Sequence, residues 1–180
     1  MQTHQASAEV ASAGCGAVAS LTITEQNISL LGAAGACESV ISAMQRHGED
    51  FAVAWKGFQA MANLAVSTGN SAWIGAAGGC EAVLEGVQWH AANTPIAHLA
   101  WRCVGNLSLD AGNVIRFGRG GGCAACVAAL QTHRGDAAAV MEVCRALVRL
   151  AKDPTNHSLL LAHDSCAVLA AAMLTHSRNE

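Results

Sequence analysis

Cys123-Ala-Ala-Cys126, with His133 seven residues beyond, comes nearest to reactive chemistry, because two thiols at that spacing can grip zinc or cycle through a disulfide. A tetrahedral zinc site needs two further ligands, yet the chain has no second Cys-x-x-Cys and no paired histidines to complete one. Cys123 also belongs to a series, Cys37, Cys80, Cys123 and Cys166, each 43 residues after the last, and Cys126 stands where Val40 and Val83 stand earlier. Both are therefore read as core thiols, and no metal or cofactor is expected. Gly118-Arg-Gly-Gly-Gly122 lacks the Lys and Ser/Thr of a phosphate loop, and no strand precedes it. Gly-x-Ser-x-Gly and His-Glu-x-x-His are absent, and Glu81 and Glu85 read as a solvated helix face. Without a catalytic constellation, the chain is expected not to be an enzyme.

The spacing that absorbs the cysteines extends to Asn27, Asn70, Asn113 and Asn156, to His47, His90, His133 and His176, and to Gly35, Gly78 and Gly121, with Asp164 breaking the last series. A fixed period of about 40–47 residues marks stacked helical units that bury their apolar faces against one another. The 180 residues then form one domain, 1–180: a partial repeat at 7–26, full repeats at 27–69, 70–112 and 113–155, and a partial repeat at 156–180. Equivalent helices of neighbouring units lie about 8–10 Å apart, beyond the ~7 Å that a disulfide spans, so the eight cysteines should be free and mostly buried. The same separation is too wide for the four histidines to share a metal. Each is expected to bond the last carbonyls of its own helix.

Within a unit the asparagine opens a short helix, as in Asn70-Ser-Ala-Trp-Ile-Gly75, and a glycine corner follows at Gly32–Gly35, Gly75–Gly79 or Gly118–Gly122. A second helix runs from about Cys80 to His90, with Cys80, Val83, Leu84 and Val87 on one apolar stripe. Asp50, Asn93, Asp136 and Asn179 are placed to cap a third, longer helix, and Pro95 sits harmlessly in its first turn. The third helix ends at Leu64, Leu107 and Leu150, and residues 7 to about 24 read as such a helix without the two that should precede it.

A short helix, a glycine turn, a second helix and a long third helix ending in Asn-Leu-Ala resemble the armadillo repeat, most clearly in Gly78-Gly79-Cys80-Glu81-Ala82-Val83-Leu84 and Trp101-Arg102-Cys103-Val104-Gly105-Asn106-Leu107-Ser108. The resemblance implies an all-α, right-handed solenoid of period 43, with about three full repeats and two partial ones, whose third helices line a concave groove for an extended partner. HEAT repeats are the nearest structural alternative. One face of these helices carries Lys56, Gln59, Asn63 and Val66, then Leu99, Arg102, Asn106 and Leu109, then Glu142, Arg145, Arg149 and Lys152. Asn63 and Asn106 are expected to hold a peptide main chain, and Arg102, Arg145 and Arg149 to meet acidic or phosphorylated side chains. Importin-like members place a Trp four residues before the groove Asn. Here Gln59 and Arg102 stand there, and a basic import signal would meet arginines, so a nuclear-import adaptor is disfavoured.

With 52% hydrophobic residues, much of it alanine, and no tyrosine, the composition suits close-packed helices. A net charge of −3 gives no general attraction to nucleic acid, leaving only a local stripe of Arg102, Arg145, Arg149 and Lys152. No apolar run reaches the ~18 residues of a membrane span, and no signal peptide is evident, so a cytosolic or nuclear location is expected. The function expected is protein–protein interaction through an extended peptide. A structural segment of a larger scaffold is the alternative. Ala17, Val18 and Leu21 at one end, and Val168, Leu169 and Met173 at the other, are expected to leave apolar surface that promotes self-association.

Overall fold

A computed structural model describes residues 7–176, which form twelve α-helices and no strand. After α1 (Ala8–Leu21) the helices come in threes: α2 (Glu25–Ala33), α3 (Ala36–His47) and α4 (Phe51–Leu64), then α5 (Thr68–Ala76), α6 (Gly79–Trp89) and α7 (Thr94–Leu107). Next come α8 (Ala111–Arg119), α9 (Gly122–Thr132) and α10 (Ala137–Leu150), followed by α11 (Thr155–Ala162) and α12 (Ser165–His176). Helices three apart in the chain pack together. α4 lies between α1 and α7, and α7 between α4 and α10; α6 touches α3 and α9, which in turn touches α12; α8 touches α5 and α11. One apolar core runs through these contacts from Ala11 to Ala172.

The longest helices start where the sequence places them. Asp50 accepts from the amides of Ala52 and Val53 at 2.9 and 3.0 Å, Asn93 from Ile96 at 3.1 Å, and Asp136 from Ala139 at 2.8 Å. Each bond satisfies a donor that the first helical turn leaves unpaired. Asn179, the fourth expected cap, lies outside the described residues. Leu64, Leu107 and Leu150 are fully buried, as their place at the ends of these helices requires.

The short helices differ from expectation in two respects. They begin before the asparagine, because Thr24, Ser67 and Asp110 accept from the amides of Asn27, Asn70 and Asn113 and so cap each helix three residues earlier. The asparagines are then free to do something else. Asn70 Nδ2 donates to the Ile28 carbonyl of α2 at 3.0 Å, and Asn113 Nδ2 to the carbonyls of Ser71 in α5 at 2.8 Å and of Leu107 at 3.1 Å. Asn156 Nδ2 donates to the Leu150 carbonyl at 2.9 Å. The carboxamides of Asn70, Asn113 and Asn156 press against Gly32, Gly75 and Gly118, where a methyl group would stand 2.0, 1.6 and 1.9 Å from the Oδ1 atoms.

Gly32, Gly75 and Gly118 therefore serve close approach rather than turning. The turn falls to Gly35, Gly78 and Gly121, whose φ angles of 83°, 85° and 88° lie in the left-handed region. Asp164, which interrupts that glycine series, adopts the same region at φ 54°.

Replacing Leu107 with Ala is expected to cost about 2–5 kcal/mol in denaturant unfolding, as for a truncated core leucine. Gly75→Ala must displace the buried Asn113 carboxamide, breaking its bonds to the Ser71 and Leu107 carbonyls. Its expected cost is about 2 kcal/mol or more, whereas Gly→Ala inside a helix would otherwise bring a gain of about 1 kcal/mol.

Candidate functional site

The residues proposed to meet a partner lie on α4, α7 and α10, which the stacking brings side by side. Lys56, Gln59, Asn63, Arg102, Asn106, Glu142 and Arg149 are half-buried there, while Arg145 and Lys152 are exposed. The Lys56 methylenes run over Gly16 of α1, so only the ammonium end is offered to a ligand. Around Arg102 the chain forms a depression of about 460 Å³, walled by Trp55, Leu99 and Met141 and bounded by His98 and Glu142. A second, of about 390 Å³, gathers Arg145, Arg149 and Lys152 with Met141, Cys144 and Val148.

Three of the expected contact residues turn out to be engaged inside the protein. Asn63 Nδ2 donates to the Ala19 carbonyl at 3.3 Å and to Thr22 Oγ1 at 2.9 Å, both beside α1. Asn106 Nδ2 donates to the Ala62 carbonyl of α4 at 2.8 Å, and the Arg149 guanidinium donates to the Gly105 carbonyl of α7. All three reach 44 residues back, tying each long helix to the one before it. The carboxamides thus keep their oxygens for a ligand; Asn63 spends both amide protons on its neighbours, whereas Asn106 spends one and retains the other.

Of the residues left free on this face, Gln59 is neutral and the others are cationic. Arg102, Lys56 and Lys152 make no hydrogen bond or salt bridge among the described residues, whereas Arg145 pairs with Glu142 at 3.1 Å. That pair is an i,i+3 contact with the arginine side chain 59% exposed, the kind of surface bridge worth less than about 1 kcal/mol and readily exchanged for a ligand carboxylate. Beside it, His98 Nε2 lies 2.9 Å from Asp136 Oδ1, joining α7 to the cap of α10. The Ala139 amide and then the His98 ring hold the Asp136 carboxyl below its ordinary range.

Trp55, His98 and Met141, each 43 residues after the last, supply the apolar and aromatic surface around Arg102, and sequence reasoning did not single them out. Their common spacing, one residue before Lys56, Leu99 and Glu142, was the available signal. Glu81 and Glu85 are exposed on α6, away from this face.

The histidines take a different role from the one expected. His90 Nε2 bonds the Gly48 carbonyl at 2.8 Å, His133 Nε2 the Ala91 carbonyl at 2.9 Å, and His176 Nε2 the Arg134 carbonyl at 2.8 Å. A carbonyl oxygen only accepts, so each Nε2 carries the proton. Each ring ties its helix to the loop 42 residues back rather than capping itself.

Cys123 and Cys126 are core residues, and burial pushes their thiols upward, as it pushes Cys80 to about 12 and Cys15 and Cys37 to about 11. Among the described residues no group of three or more His, Cys, Asp or Glu side chains gathers as a metal site, and no single helix is long and apolar enough to cross a membrane. No family model, curated protein or solved structure matches the chain.

Thiol exposure yields a direct check. Cys166 alone among the eight is exposed, and its counterparts Cys37, Cys80 and Cys123 are buried. Iodoacetamide at neutral pH should therefore label Cys166 first, with Cys103 and Cys126 reacting only on unfolding, as read by peptide mass mapping.

Proposed function

We propose that the chain is a right-handed α-solenoid of armadillo type, acting as a non-catalytic interaction module that holds an extended acidic or phosphorylated peptide along α4, α7 and α10. Three observations support the solenoid reading: the 43-residue spacing in the sequence, the packing of helices three apart, and side-chain hydrogen bonds that each reach 42 or 44 residues back. The observation that carries the functional reading is the juxtaposition of Arg102 with the apolar walls of Trp55, Leu99 and Met141, next to Arg145 and Lys152. An apolar side chain of the peptide would fill the depression, and neighbouring Asp, Glu or phosphate groups would meet the guanidinium groups.

Because Asn63, Asn106 and Arg149 spend donors on adjacent helices, recognition in this reading rests on charge and the apolar depression more than on main-chain pairing. The cationic set is local, within a chain of net charge −3, which favours a short acidic segment over the long phosphate track of nucleic acid. A cytosolic or nuclear setting belongs to the same proposal.

An array of acidic and phosphorylated peptides, each containing one large apolar residue, tests the reading. Peptides that bind should lose about tenfold or more in affinity to Arg102→Ala combined with Arg145→Ala, where the pairs are desolvated. Glu142→Gln should strengthen binding by releasing Arg145, and changing Glu81 and Glu85 should leave it unchanged. Binding that ignores the arginines but follows Glu81 and Glu85 would place the partner elsewhere.

A further inference from the structure

Between α6, α7 and α9 lies a half-open cavity of about 130 Å³, distinct from the depressions on α4, α7 and α10. Val87, Ile96, Ala100, Trp101, Ala129 and Thr132 form much of its wall. Of the polar groups at its edge, Gln88 is exposed, and His133 and Thr132 already have partners. His133 bonds the Ala91 carbonyl through Nε2 and Thr94 Oγ1 through Nδ1, and Thr132 Oγ1 donates to the Ala128 carbonyl. A water inside would find few of the two to four partners it needs, whereas an apolar cavity of about 150 Å³ takes up benzene.

The chain itself shows what shape suits this place. Forty-three residues earlier, Thr132 has Trp89 as its counterpart and Ala91 has Gly48. There the indole of Trp89 lies directly on Gly48, where a methyl group would stand 2.6 Å from the ring atom Cζ3. Beside it Met44 packs on Gly57, where a methyl group would stand 2.7 Å from Cγ; the counterparts lining the cavity are Val87, shorter than Met44, and Ala100, one methyl larger than Gly57. A ring and a long aliphatic side chain are thus replaced by Thr132 and Val87, and the space corresponding to the indole is left to the cavity and, on one side, to the Ala91 methyl.

We propose that the cavity between α6, α7 and α9 binds a small planar apolar molecule, a single aromatic ring or a fused pair of the size of indole, beside the Ala91 methyl and close to the place that the Trp89 ring takes 43 residues earlier. Entry is past Ala91 and Ala128, which are exposed and line the mouth. Affinity comes from burying the ring faces against Trp101, Ile96 and the alanines, with no charged group to direct it.

Indole titrated into the folded 180-residue chain, followed by amide chemical shifts, tests this. Shifts at Ala91, Ala129 and Thr132 should saturate together. Ala91→Gly combined with Thr132→Trp rebuilds the earlier pair, and should weaken indole binding at least tenfold while raising the unfolding midpoint. Ala128→Leu, at an exposed position that leaves the core intact, should weaken it similarly by closing the mouth. The proposal is overturned if the shifts do not saturate, or if indole binds both variants as it binds the unaltered chain. Equal or tighter binding of N-acetyl-tryptophanamide would also overturn it, assigning the cavity to an aromatic side chain of a protein partner.

Discussion

The fold depends on a carboxamide resting on a bare backbone. Asn70, Asn113 and Asn156 each sit against a glycine 38 residues earlier, close enough that no side chain fits between them, and donate to main-chain carbonyls, Asn70 and Asn113 inside the preceding short helix, Asn113 and Asn156 at the end of the preceding long one. Ile28 and Ser71 lie within their helices, so there the asparagine adds a second donor to a carbonyl that has two lone pairs, whereas Leu107 and Leu150 close their helices, where carbonyls lack an α-helical partner. The contact also fixes how far apart successive short helices lie. Once that distance is set, the longer helices must meet at matching spacing, and the core residues Phe58, Trp101, Leu64 and Leu107 fall between them.

The same economy governs the face on α4, α7 and α10. A polar side chain there can serve a neighbouring helix or a ligand, and Asn63, Asn106 and Arg149 serve the helix. Arg149 keeps the reach to a carbonyl 44 residues back that Asn63 and Asn106 have, although its side chain is longer and charged. In the proposed reading, chemistry toward a partner falls to residues one or two turns nearer the helix start, Arg102 among Trp55, Leu99 and Met141, and Arg145 beside Met141.

Much of this was legible in the sequence because periodic identity reports shared environment. The three caps at Asp50, Asn93 and Asp136, the leucines ending the long helices and the buried cysteines all took their expected places. What escaped was the direction of side chains. A series of asparagines says that a carboxamide is needed, but not that it reaches back to the preceding short helix, and the nearby capping residues vary as Thr24, Ser67 and Asp110. Glycines serving two needs looked alike, since Gly32 and Gly35 differ in φ and in neighbours rather than in type. The groove residues were found as a face, yet a donor facing a carbonyl and a donor facing solvent look the same in a sequence.

The histidine contacts lie at the opposite ends of the helices from the asparagine contacts. His90 holds the loop before α4, whereas Asn106 holds the Ala62 carbonyl in the last turn of the same helix, a separation of about 20 Å for a helix of 14 residues. Two attachment points that far apart act as a long lever against twist. Sliding or rotating one layer on the next must stretch bonds at one end or the other, so the array behaves mechanically as a pinned beam rather than a string of beads. A ligand lying across several layers would then meet a surface whose spacing is held by the protein and not by the ligand.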